Sequence, residues 1–157
     1  MKIKTAKNLI VKIFLQHKLS LNHSKICADA LINAELVGAP SHGFARIASY
    51  CNRLKKKVIN PKPKISVKNI SSSITSIDAN NAIGFVGASL GMSQAIKNAK
   101  KTGFGLVAVK NSGHYGLSGY YAEKAANKGL VALCFTNGPP AVAPHGAKKT
   151  LFGTNPI

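Results

Sequence analysis

Tryptophan is absent from these 157 residues, cysteine occurs three times, and only four residues are acidic. Each shortage excludes something. Cys27, Cys51 and Cys134 are odd in number, far apart and form no Cys-x-x-Cys pair. Neither a disulfide framework nor a cysteine zinc site is indicated. No metal is expected, because His42, His114 and His145 lack a His-x-x-x-His spacing or a carboxylate cluster to join. No apolar run approaches the ~20 residues of a membrane helix. The basic start, Met1-Lys2-Ile3-Lys4, leads into an apolar stretch broken by Lys12 and Gln16. With no secretory signal in it, the sequence reads as cytoplasmic and without a membrane partner.

The scarcity of acid leaves 22 basic residues largely uncompensated, a formal charge of +18. That balance points first to nucleic acid. The lysines, however, are spread over almost every segment rather than striped along one element. Even the densest stretch, Arg53 to Lys68, has seven basic residues but no interleaved aromatics for base stacking. Biased residue usage in the source genome accounts for the charge equally well. Nucleic acid is the disfavoured partner.

What is present is the composition of a folded domain. Hydrophobic residues make up 45% of the chain, and a domain of this length buries roughly two-thirds of its unfolded surface. Helical spacing predicts a first helix over Thr5–Leu19, with Thr5 as its cap, and a second beginning at Asn22 or Ser24 and ending at Gly38 and Pro40. A third is expected from an N-cap at Ser41 to about Lys56. On it Phe44, Ile47, Cys51 and Leu54 form an apolar face, with His42, Arg46, Ser49 and Arg53 opposite. Short strands are expected at Ile65–Val67 and Ile74–Asp78, and a helix over Phe85–Lys101 ending at Gly103. A buried strand at Phe104–Val109, a helix at Ser118–Lys128 and a second buried strand at Leu130–Phe135 predict a βαβ-like unit.

Two places carry candidate chemistry. In Ser41-His42-Gly43 with Arg46, the histidine and arginine are four apart and can reach one small ligand. Arginine grips a carboxylate through paired hydrogen bonds, and a histidine can hand a proton to a carbonyl oxygen. A capped surface helix with two solvated side chains is the alternative. The second place is Asn111-Ser-Gly-His-Tyr-Gly-Leu-Ser-Gly119, where glycines recur every third residue at a strand-to-helix joint. Such a joint can cradle phosphate, or be a plain turn in which His114 caps a carbonyl. It is not the G-x-G-x-x-G dinucleotide fingerprint, and no acidic residue follows Glu123. Ser112 lies outside any G-x-S-x-G elbow, and Cys51 faces the apolar side, so nucleophilic catalysis has no support.

Taken in order, SHGFARIASYCNRL (41–54), VKNSGHYGLSGYYAEKAANKGL (109–130), TNGPPAVAPHGA (136–147) and FGTNPI (152–157) resemble the malate/L-lactate dehydrogenase type of NAD(P)-dependent oxidoreductase. The resemblance implies a mixed α/β (α+β) fold: N-terminal helices plus part of a non-Rossmann, largely antiparallel nucleotide-binding sheet. Residues 1–80 would carry the Ser-His-Gly motif and 81–157 the start of the cofactor-binding region, incomplete at its C-terminus. It further implies hydride transfer between NAD or NADP and a 2-oxo or 2-hydroxy acid, and a homodimer. Carried over by motif, Ser41 and His42 are the catalytic pair, His114 is a second acid/base candidate and Arg46 binds substrate carboxylate. Tyr115, Gly116, Leu117, Ser118, Asn137 and Gly138 would line the cofactor. Three departures stand out. Val37-Gly-Ala-Pro40 occupies the place of an acidic residue and an arginine, Ile77-Asp78-Ala-Asn-Asn81 replaces an Asp-Gly pair, and Gly146-Ala147 replaces a double glycine. Family members are about twice as long, so an inactive remnant is the alternative expectation.

Overall fold

The computed structural model describes residues 2–157. Helix α1 (Ile3–Gln16) turns Ala6, Ile10 and Phe14 inward at i, i+4 and i+8, the spacing of one helix face. It begins before Thr5, which is not its cap. Helix α2 (Leu21–Leu36) also starts ahead of the predicted residues, because the Ser20 hydroxyl accepts the His23 N–H at 3.1 Å. Cys27, Ala28, Ala30 and Ala34 of α2 are buried small side chains, and with Leu31 they form the face on which α1 and residues 84–102 pack.

The third helix forms only in part. Pro40–His42 and Phe44–Arg46 are two single 3₁₀ turns separated by Gly43, and the α-helix proper, α3, spans Ile47–Lys55. Gly43 sits so close to the Glu35 carboxylate that a Cβ would collide with it. The chain must bend there before it can wind.

Strand β1 (Ser66–Asn69) pairs antiparallel with β2 (Ile74–Ala82), Ser66 opposite Asp78. Strand β2 runs parallel to β3 (Leu106–Ser112), Ile77 opposite Val109, and α4 (Gly84–Thr102) makes the crossover between them. A βαβ unit therefore exists, but one step earlier in the chain than predicted. Helix α4 stops at Gly103, whose φ of +81° is left-handed. The register slips after Asp78, where Asn80 and Asn81 take φ of +50° and +57°. The Asp78 carboxylate holds this bulge by accepting the Asn80 N–H at 2.9 Å and the Asn111 amide at 3.0 Å. In this way Asn80 and Asn81 adopt the backbone that a glycine would otherwise supply.

Helix α5 (Ser118–Ala126) completes the packing. One buried cluster draws on both sides of residue 80, with Phe14, Leu31, Phe85 and Tyr121 at its centre. The expected buried strand at Leu130–Phe135 is corrected by the structure. Among the described residues that segment pairs with no strand, and Val131, Leu133 and Phe135 are 98%, 71% and 66% exposed. Strand β3 is likewise an edge strand, with Leu106 turned to solvent. Between β3, α4 and residues 130–136 lies an apolar cleft of about 740 Å³. Hydrophobic strand-like residues announce that a surface must be covered; they do not say by what.

Candidate active site

The turn before α3 and the joint between β3 and α5 meet on one side of the molecule. The His42 and His114 rings stack with centroids 5.8 Å apart and planes inclined by 24°. Two motifs 72 positions apart in the chain thus converge, and His114 lies at the open end, exposed to solvent on one side.

Each ring is held from behind. The Ser41 hydroxyl lies 3.1 Å from His42 Nδ1. The Arg46 Nε–H donates to the Ser41 carbonyl at 2.9 Å, which ties the arginine to the turn and leaves its terminal nitrogens without a hydrogen-bond partner among the described residues. Among the described residues no carboxylate pairs with Arg46. His114 is gripped by Tyr50, whose hydroxyl lies 2.7 Å from Nδ1, while the Gly116 N–H donates to the same atom at 3.3 Å. The Tyr50 ring itself is 3% exposed and packs edge-on to Phe85 at 5.0 Å. Burial pushes the Tyr50 hydroxyl pKa up, so it stays protonated throughout the neutral range. Burial, then the positive charge of Arg46 and the neighbouring His42, pushes the His114 pKa down. The site is therefore cationic through Arg46, with a neutral imidazole beside it. It suits a small acid.

Sequence reasoning passed over three residues that build this site. Tyr50 lies one helical turn after Arg46 and one before Leu54, at the border of the apolar face, a position that signals a half-inward role. Glu35 is the second. Its carboxylate accepts the Phe44 N–H at 2.6 Å and so pins the bend at Gly43. An acidic residue does serve the Ser-His-Gly turn, six positions before Ser41. Replacing Glu35 with alanine leaves that half-buried N–H without its acceptor, and we expect a loss of about 1–3 kcal/mol in denaturant unfolding. Glu35→Gln, which keeps an oxygen, should recover most of it. Gly84 is the third. A Cβ there would run into the carbonyls of Gly113 and His114, so the start of α4 and the His114 backbone touch directly.

The remaining predicted residues are divided between two places. The Tyr115 hydroxyl is 2.9 Å from that of Ser118, and the Tyr115 carbonyl accepts the Tyr121 hydroxyl at 2.6 Å. Gly116 takes a left-handed φ of +81° beside the Phe85 ring. Leu117 precedes the first turn of α5 and is half-buried. Gly138, by contrast, donates its N–H to Asn155 at 2.9 Å, and no hydrogen bond among the described residues joins Asn137 or Gly138 to the 115–118 turn. The large apolar cleft reaches Ser112, Gly113 and Tyr115 but is lined by neither His42 nor His114. Its walls hold no charged side chain, so it matches packed protein better than a phosphate-bearing ligand.

Paired histidines stand beside an arginine that no carboxylate pairs among the described residues, on a helical layer against a mixed sheet. The profile of the malate/L-lactate dehydrogenase family matches residues 1–157, and the chain belongs to that family. It is 39% identical to the L-sulfolactate dehydrogenase of Methanocaldococcus jannaschii over all 157 residues, which span 46% of that protein. Against the NAD(+) ureidoglycolate dehydrogenase of Escherichia coli O157:H7 it is 33% identical over 98% of this chain and 44% of the other. The crystal structure of malate dehydrogenase from Entamoeba histolytica superposes with a TM-score of 0.93 at 36% identity, covering 99% of this chain and 43% of that one. The chain thus spans less than half the length of these relatives.

Proposed function

We propose that this chain supplies the imidazole-bearing part of an oxidoreductase that interconverts a 2-oxo acid and a 2-hydroxy acid with NAD or NADP. The observation that carries the reading is the 5.8 Å approach of His42 and His114 beside Arg46. Reduction of a 2-oxo acid adds hydride to C2 and a proton to its oxygen. The bound nicotinamide would supply or accept the hydride. His42, its Nδ1 side toward Ser41, donates the proton in that direction and takes it back in the reverse. The terminal nitrogens of Arg46 bind the substrate carboxylate.

The 115–118 turn suits the nicotinamide end of the cofactor. It offers the Tyr115 and Ser118 hydroxyls and a glycine backbone, and no lysine or arginine lies between Asn111 and Glu123 to meet a pyrophosphate. Asn137 and Gly138 complete the lining from the second segment. A homodimer, which the family resemblance implies, is the proposed assembly, and the cytoplasm the proposed compartment. Because the relatives are more than twice as long, the active unit is this chain together with the remainder of the fold, seated over β3 and residues 130–136.

The purified chain alone is expected to show no NAD(P)H-dependent reduction of pyruvate-type acids. Mixed with, or fused to, the portion of the M. jannaschii relative that lies beyond the matched region, it should turn over measurably. Robust turnover by the chain alone would refute the need for assembly. A well-formed complex that reduces none of a panel of 2-oxo acids would refute the dehydrogenase reading.

A further inference from the structure

We infer that Tyr50 is a positioning residue: with the Gly116 amide it fixes His114 as the Nε2–H tautomer, so that this ring presents a hydrogen-bond donor, not a base, on its exposed side. A backbone N–H can only donate. The Gly116 N–H pointing at His114 Nδ1 therefore requires a lone pair on that nitrogen. The Tyr50 hydroxyl, 2.7 Å from the same atom, must then donate as well. Nδ1 is a doubly served acceptor, and the single proton of the neutral ring belongs to Nε2, which has no hydrogen-bond partner among the described residues.

The surroundings oppose the alternative states. Moving the proton to Nδ1 would set it against the Gly116 N–H and turn the Tyr50 hydroxyl away from its partner. Adding a second proton would do the same, beside Arg46, His42 and Arg53, the charged or titratable groups that act on this ring. Tyr50 cannot readily swing aside, since its ring is buried against Phe85. The two histidines consequently have different tasks. His42 moves the proton, while His114 holds a neutral N–H toward a carbonyl or carboxylate oxygen. That last assignment rests on the function proposed above; the tautomer itself does not.

Long-range proton–nitrogen correlation spectra of the ¹⁵N-labelled chain read the tautomer directly, with His114→Gln identifying the resonances among five imidazoles. Above the His114 midpoint, Nδ1 should appear as the unprotonated nitrogen and Nε2 as the protonated one. The reverse pattern would overturn the inference without any Tyr50 variant being made. In Tyr50→Phe, which keeps the ring and loses only the hydroxyl, the ratio of Nε2–H to Nδ1–H should fall about five-fold, the equivalent of one neutral hydrogen bond. The His114 midpoint should rise, and the other imidazoles should stay put. An unchanged ratio in a folded Tyr50→Phe chain would equally overturn it. Failure of the assembled enzyme to reduce any 2-oxo acid would sink the dehydrogenase reading and leave the tautomer result standing.

Discussion

Replacing His42 with asparagine in the assembled enzyme is expected to lower kcat for 2-oxo acid reduction by about 10²- to 10⁴-fold, the usual worth of a positioned general acid. The loss should appear in kcat and kcat/KM alike, because the proton is needed in the transition state and not for binding. His114→Gln, which retains an N–H donor, should cost less. Arg46→Lys should act mainly on KM, since an ammonium keeps the charge but not the paired hydrogen bonds. Steady-state kinetics of the three variants separate these roles. Were His42→Asn to lose less than His114→Gln, the division of labour between the two rings would be reversed.

Gly84→Ala is expected to destabilise the chain by about 1–3 kcal/mol, the ordinary cost of forcing an extra carbon into a packed interior. The obstacle here is backbone, the carbonyls of Gly113 and His114, which cannot rotate away as a side chain would. The joint carrying His114 must move as a unit. The midpoint of urea unfolding should fall with little change in slope, and the His114 imidazole resonances should shift while those of distant His17 stay unchanged. An alanine accepted with full stability and an unmoved His114 spectrum would show that α4 does not buttress the joint. By contrast, Gly119→Ala meets no neighbour within 4 Å and serves as the control.

Much of the helical layer could be read from local patterns, and the reasons for the misreadings are physical. The apolar positions of α1 and α2 are set by helix periodicity, which survives any tertiary context that buries one face. The start of α2 was displaced because the Ser20 hydroxyl, three residues ahead of the His23 N–H, caps as well as the residues chosen, while α1 starts after Lys2 with no side-chain cap at all. The third helix was overextended for a different reason. A uniform i, i+3, i+7 spacing in 44–54 could not reveal that Glu35, on the preceding helix, draws the Phe44 N–H toward itself and forces a bend. The strand at 130–135 was legible as strand-like and misjudged as buried, since hydrophobicity records a demand for a partner surface without naming it.

The sequence by itself carried the resemblance to the family, in four ordered motifs, and the chemical types at its two candidate sites, because residue identity and order need no tertiary context to be read. It could not determine the state of either imidazole. That depends on Tyr50 rising from α3 and Gly116 turning in from the joint to meet one nitrogen 64 positions from the tyrosine. A proton's position on a ring is decided by the donors that surround it in space, and only the tertiary structure brings those donors together.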